Sequence, residues 1–291
     1  GAVVASTGVD AGGSDPAVQN QRAALTLADG TVYVPFGGRY GDCGDYHGRV
    51  VGVASSATGL GSVISYTLPT QREGGFWAPP GAVVGPDGSL YLASGNSSSA
   101  GAYDYGNSVV RLSAQLRILD AFAPSNWASL NATDTDVGST SPVLLPAGRV
   151  FQIGKGGVGY LLDAAHLGGI GGALRQVGVC AGSSAFGGVA HDNDVVYVPC
   201  SNGVVQVVVH NDNLTAGWRA SLATPGPPVV SGSTVWVVAT GSGDLVALDR
   251  TSGTTSASFP LGQVPSRFTS PAVAGGRVVV AAGRVVRAFG A

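Results

Sequence analysis

The chain contains no methionine, a single lysine and three cysteines, and only 11% of its 291 residues are charged, for a formal net charge of −2. Each shortage excludes something. Without a surplus of positive charge there is no basic field to hold nucleic acid or anionic lipid. No apolar run approaches the ~18 residues a membrane-spanning helix needs, and no charged-then-apolar leader opens the chain. Apolar residues at helical spacing are scarce, so substantial helix is not expected. The absence of methionine means that Gly1 is not an initiator, which suits a mature or excised exported protein. What the chain has in quantity is glycine, 47 residues, with valine and alanine in short runs. That is the composition of short strands joined by tight turns, an all-β reading. A chain of this length can hold one core, and a single domain spanning residues 1–291 is expected.

The organising stretch runs from Asp134 to Asp163: Ser-Pro-Val, a short apolar run, a glycine turn, a second apolar run, a glycine-rich turn, and a third run ending Leu-Leu-Asp. The pattern returns as GPPVVSGSTVWVVATGSGDLVALD and as TSPAVAGGRVVVAAGRVVRAF. Pro228 and Pro271 lie 43 residues apart, and Pro142 and Pro228 lie 86 apart, twice that period. The segment AFGGVAHDNDVVYVPCSNGVVQVVV supplies the copy between them. A period in the forties with three or four short strands per copy is the signature of a β-propeller. Four-stranded antiparallel blades are expected, six of them, or seven if the N-terminal loop hides one. The last repeat carries only three strands, so the opening GAVVAST is expected to supply the fourth and close the ring, removing exposed sheet edges.

Among the cysteines, Cys180 and Cys200 flank a repeat start where a loop and a strand end can meet, and a disulfide between them is expected, in keeping with an exported protein. Cys43 is left over, in an insertion with Asp45, Tyr46 and His47; without a second Cys or His at ligand spacing it reads as a small thiol in a loop. Glu73 and Trp77 lie on a connector where they line a channel or pack between blades. The irregular connector from Ala123 to Gly138, carrying Asp134 and Asp136, is long enough to suggest function. Lys155, the only lysine against fourteen arginines, suits a compact point charge facing an anionic carbonyl or carboxylate.

The unit GDLVALDRTSG resembles the repeat of the pyrroloquinoline quinone (PQQ)-type β-propellers, a superfamily that includes quinoprotein alcohol dehydrogenases and assembly factors of bacterial outer membranes. The resemblance covers nearly the whole chain and is strongest between Trp77 and Leu167. In the dehydrogenases a Gly-Asn-Gly strand end binds calcium, and Ser94-Gly95-Asn96-Ser97 matches it in part. A Trp-Asp-x-Asp motif supplies the catalytic base, and Thr133-Asp134-Thr135-Asp136 keeps both carboxylates. A Lys or Arg touches the quinone, and Gly154-Lys155-Gly156-Gly157-Val158-Gly159-Tyr160-Leu161-Leu162-Asp163 follows that pattern.

The resemblance therefore implies, for an enzyme, Asp134 and Lys155 as catalytic groups, Asn96 and Asp134 at a calcium ion, and Asn96, Asp136, Lys155 and Trp77 around the cofactor. The chain departs from those enzymes in lacking their adjacent-cysteine disulfide and most outer-strand tryptophans, and in being about half their length. These departures favour an exported bacterial binding or scaffold module without a cofactor, holding a protein, a glycan or copies of itself. The alternative is a PQQ- and calcium-dependent alcohol or sugar dehydrogenase that uses Asn96, Asp134 and Lys155.

Overall fold

The computed structural model describes residues 1–10, 15–77 and 79–290. Strands dominate, and the described residues contain one short α-helix, Trp127–Ala132. The chain forms two compact units: residues 1–144 with 162–173, and residues 145–161 with 174–291.

In the first unit, one sheet runs through Thr31–Gly38, Arg49–Ser56 and Gly59–Thr67. Thr26–Ala28 and Gln19–Asn20 pair with different parts of Thr31–Gly38. The turn that joins Thr26–Ala28 to Thr31–Gly38 is Asp29-Gly30, both at positive φ, as such a tight turn requires. The second sheet orders Val83–Val84, Leu90–Ala93, Val109–Leu112 and Ile118–Ala123. Alternate residues of these strands bury both faces: Tyr33 and Val50 join Leu90, Leu92, Val110 and Leu112 in one cluster, and Val34, Val51 and Val53 form another. Two buried faces explain why the strands read as nearly continuous apolar runs.

In the second unit, the strands Ala190–Asp192, Val195–Cys200, Gly203–His210 and Asn213–Ala220 form one antiparallel sheet. Val229–Ser231, Thr234–Ala239, Asp244–Asp249 and Thr255–Pro260 form the next. Both follow the 43-residue repeat. The LD-x-x-x-G ending of the repeat has a physical cause. Asp249 Oδ1 accepts the N–H groups of Thr251 and Ser252, and Gly253, at φ 74°, gives its N–H to the Asp249 carbonyl. A Cβ on Gly253 would stand 2.4 Å from the Trp218 ring, so glycine is required there for that indole to dock. The Trp218 Nε1–H then donates to the Arg250 carbonyl at 3.1 Å. Cys180 and Cys200 form the expected disulfide, with Cα atoms 5.4 Å apart.

Two features differ from expectation. The segment Gly1–Ser6 forms no strand, and the last sheet, Ala272–Ala274, Arg277–Ala282 and Val285–Gly290, has three strands. Val3 and Val4 are 84% and 98% exposed; an apolar run becomes a strand only where a ladder partner takes up its backbone groups. The second sheet of the first unit also departs from a four-stranded antiparallel blade, because it takes a fifth strand from the stretch after Asp163. Gly169–Ile170 pairs in parallel with Ile118–Ala123, and Arg175–Gly178 pairs with Val158–Asp163. Gly168, Gly169 and Gly171, all at positive φ, let the chain fold out between the two pairings.

Candidate functional site

The first unit concentrates buried polar side chains where three irregular segments meet. The first is the connector after Thr67, in which Glu73 and Gly74 both adopt positive φ. Glu73 is pinned there by its N–H to the Tyr46 carbonyl (2.6 Å) and by its carbonyl accepting from Gly48 N–H (3.1 Å). The second is the loop after Leu90–Ala93, which carries Asn96. The third is the connector through Trp127–Ala132 to Ser139, which carries Asp136. An amide relay holds the last two together. Asn131 Oδ1 accepts Ser97 N–H (3.1 Å) and Asn107 Nδ2 (2.9 Å), and Asn107 Oδ1 accepts Val137 N–H (2.7 Å).

This framework sets Asn96 between Glu73 and Asp136, hydrogen-bonded to both. The Asn96 backbone N–H donates to Asp136 Oδ1 at 2.8 Å, and Asn96 Nδ2 donates to Glu73 Oε2 at 3.1 Å. Arg72 donates to the other Glu73 oxygen at 2.6 Å. Asn96 is only 6% exposed, and its Oδ1 is buried with no hydrogen-bond partner. Burial pushes the Glu73 carboxyl above its usual pKa, against the opposing pull of Arg72; the charges of Asp42 and Asp134 add to the rise.

The Trp77 ring walls this node, and glycines make room for it. A Cβ on Gly95 would fall 2.0 Å from the Trp77 ring and 2.5 Å from Asp136 Oδ1, and Cβ atoms on Gly37 and Gly75 would also strike Trp77. The Trp77 Nε1–H donates to the Gly38 carbonyl at 3.3 Å. The Arg22 guanidinium lies 5.7 Å from the Trp77 ring centroid; burial lowers its pKa, against the opposing pull of Asp136. Tyr46 lies against Gly38 and donates to Asp42 Oδ1 at 2.5 Å.

Of the residues singled out in the sequence, Asn96, Asp136 and Trp77 stand together. Asp134 is exposed at φ 49°, just past the helix Trp127–Ala132. Lys155 belongs to the second unit, half-buried in the turn between Arg149–Ile153 and Val158–Asp163. His47 Nδ1 lies 3.1 Å from Thr70 Oγ1, and Cys43 is exposed. Sequence reasoning missed Arg22, Asn107 and Asn131. The only local signal for the two asparagines is that short amides recur in the same loop and connector that carry Asn96 and Asp136.

The chemistry of the node can be tested against calcium, the ion that the resemblance implies. No cluster of three His, Cys, Asp or Glu side chains stands among the described residues. The node instead offers two carboxylates and an amide oxygen, all hard oxygen donors of the kind calcium takes. The orphaned Asn96 Oδ1 is the atom such an ion would satisfy, so the donor set fits.

The fold is also found in known structures. The chain matches the quinohemoprotein alcohol dehydrogenase ADHIIG of Pseudomonas putida HK5 with a TM-score of 0.63 at 14% identity, over 91% of this chain and 56% of that one. The quinohemoprotein alcohol dehydrogenase of Comamonas testosteroni matches with a TM-score of 0.62 at 13% identity, over 89% and 55%. The chain has a β-propeller fold. It spans little more than half the length of either dehydrogenase. Sqt1 of Saccharomyces cerevisiae also matches the chain, with a TM-score of 0.61 at 12% identity, over 90% of this chain and 69% of that one. No protein-family model matches the chain, and no curated protein matches it in sequence. No helix among the described residues is long and apolar enough to cross a membrane.

Proposed function

We propose that this PQQ-like propeller is an exported, cation-dependent binding module whose site is the Glu73–Asn96–Asp136 node. The observation that carries the reading is the buried, unpartnered Oδ1 of Asn96 between two carboxylate-bearing segments. A buried polar atom left unmade is costly, and a divalent hard cation such as calcium is the group whose chemistry matches all three donors. A bound ion would give the pocket a fixed positive charge, able to hold an anionic or hydroxyl-bearing ligand beside Trp77. Export is supported by the Cys180–Cys200 disulfide, which needs an oxidising compartment. The low surface charge suits a protein or glycan partner, or self-association.

A second reading, a PQQ-dependent alcohol or sugar dehydrogenase, is favoured by one specific feature: the Trp77 indole lies at Gly95, beside the oxygen node, with the Arg22 cation near its ring. When bound, the quinone would supply a hydride acceptor. Trp77 and Arg22 would orient it, the node would hold the ion, and Asp134 would take the alcohol proton.

The test is a titration of metal-stripped protein with PQQ, with and without calcium, followed by absorbance and by dye reduction on a panel of alcohols and sugars. Calcium binding without PQQ binding supports the binding module. Calcium-dependent PQQ binding with dye reduction establishes the dehydrogenase. Absence of any calcium effect overturns both.

A further inference from the structure

A second polar site lies in the first unit, built on Arg49. This residue opens the strand Arg49–Ser56, opposite Phe36 on one neighbouring strand and Thr67 on the other. In an antiparallel sheet, directly opposed residues project to the same face, so the guanidinium and the Phe36 ring share one side. Arg49 is 3% exposed, yet neither its Nε nor its Nη2 has a hydrogen-bond partner. It lines a cavity of about 180 Å³ with Val9, Pro16 and Phe36 as apolar walls. Gln19 and Gln21 add polar groups, and Asp10 stands among the lining residues. The amide nitrogens of Gln19 and Gln21 are already engaged by the carbonyls of His47 and Ala23.

The two unpartnered nitrogens share one edge of the guanidinium plane. Their N–H bonds run side by side, which is the geometry that grips the two oxygens of a carboxylate. A buried guanidinium with two unpaired nitrogens is unfavourable, and a ligand that brings its own negative charge removes that cost. We infer that this cavity binds a small organic monocarboxylate, its carboxylate on the Nε–Nη2 edge of Arg49 and its carbon portion against Val9, Pro16 and Phe36. The apolar walls select against inorganic phosphate, whose remaining charged oxygens would be desolvated there without partners. The volume limits the ligand to a few carbons or a single small ring. The site uses none of Glu73, Asn96 or Asp136, so it stands whether or not the cation site does.

The test is an NMR titration of arginine-side-chain ¹⁵N-labelled protein with sodium acetate, sodium benzoate, sodium phosphate and sodium chloride, at matched ionic strength. The Arg49 Nε–H signal is identified as the one missing from Arg49→Lys. The expected result is a saturable shift of that signal with acetate and benzoate, and none with chloride. Calorimetry with Arg49→Lys, which keeps the charge and loses the paired donors, should show carboxylate affinity falling at least about tenfold. If Arg49→Lys does not fold, selective Nε assignment in the wild type keeps the titration decisive. An Arg49 signal that no carboxylate moves overturns the proposal. So does tighter binding of phosphate than of either carboxylate, or a shift that appears only in Asp10→Asn, which would make Asp10 the resident counter-ion.

Discussion

The backbone N–H of Asn96 donates to Asp136 Oδ1 at 2.8 Å, so a carboxylate forty residues further along the chain holds the loop that presents the Asn96 amide. Removing it leaves a buried donor unmade. Asp136→Ala should therefore destabilise the protein by about 1–3 kcal/mol. Asp134→Asn changes an exposed residue to another that tolerates positive φ, and should stay within about 0.5 kcal/mol. Chemical denaturation of the two variants checks the ordering; a larger loss in Asp134→Asn than in Asp136→Ala would mean that Asp134, not Asp136, organises the connector.

Trp77 reaches the node only because Gly95 has no side chain. A methyl group there would stand 2.0 Å from the indole and 2.5 Å from Asp136 Oδ1. Gly95→Ala should cost about 1–3 kcal/mol by overpacking and should displace the indole, seen as a changed near-ultraviolet circular dichroism signal. An unchanged tryptophan signal would show that the ring is not held where the structure places it.

Much of this was legible in the sequence, for reasons that can be named. The LD-x-x-x-G ending at Leu248–Gly253 is a turn in which Asp249 and Gly253 have fixed backbone tasks. Asn96 and Asp136 are marked by the resemblance to the dehydrogenase motifs, Asp136 also by the length of its connector, and Trp77 by its place on a connector that can line a channel or pack between blades. Arg49 did not stand out, because an arginine opening a strand reads as a solvated face; only the cavity against Phe36 reveals that it is buried. Arg22 was missed for a similar reason: its tie to Asp136 and Trp77 is made in space, 114 and 55 residues away in sequence. The N-terminal apolar run was misread because hydrophobicity reports a wish for burial and not the presence of a partner strand.

The disulfide lies wholly within the second unit, where it joins residues 20 apart. Replacing both Cys180 and Cys200 with serine should cost about 3 kcal/mol. In the unmodified protein, Cys43 is exposed and is the free thiol, so a thiol reagent should label one equivalent under native conditions. Labelling of three would mean that the bond does not form.

Protons and a cation should compete at Glu73. Burial raises its pKa above the usual glutamate value, so in metal-free protein the ionised form costs stability. Stability should accordingly fall as pH rises from the ordinary glutamate value through the raised one, and level off above it. Calcium needs the ionised carboxylate, so its affinity should weaken as pH falls through that same window. Glu73→Gln should flatten both dependences; a calcium affinity that keeps its full pH dependence in Glu73→Gln would assign the titration to another group.

The central claim is best tested by isothermal titration of calcium into metal-stripped protein, wild type beside Asn96→Ala and Glu73→Gln, with near-ultraviolet circular dichroism confirming that each variant is folded. The expected result is one saturable site in the wild type and affinity at least about tenfold weaker in both variants, the loss of a single hard ligand from a small donor set. No calcium-dependent heat in the wild type, or binding that both substitutions leave intact, would contradict the assignment of Glu73, Asn96 and Asp136 as a cation site.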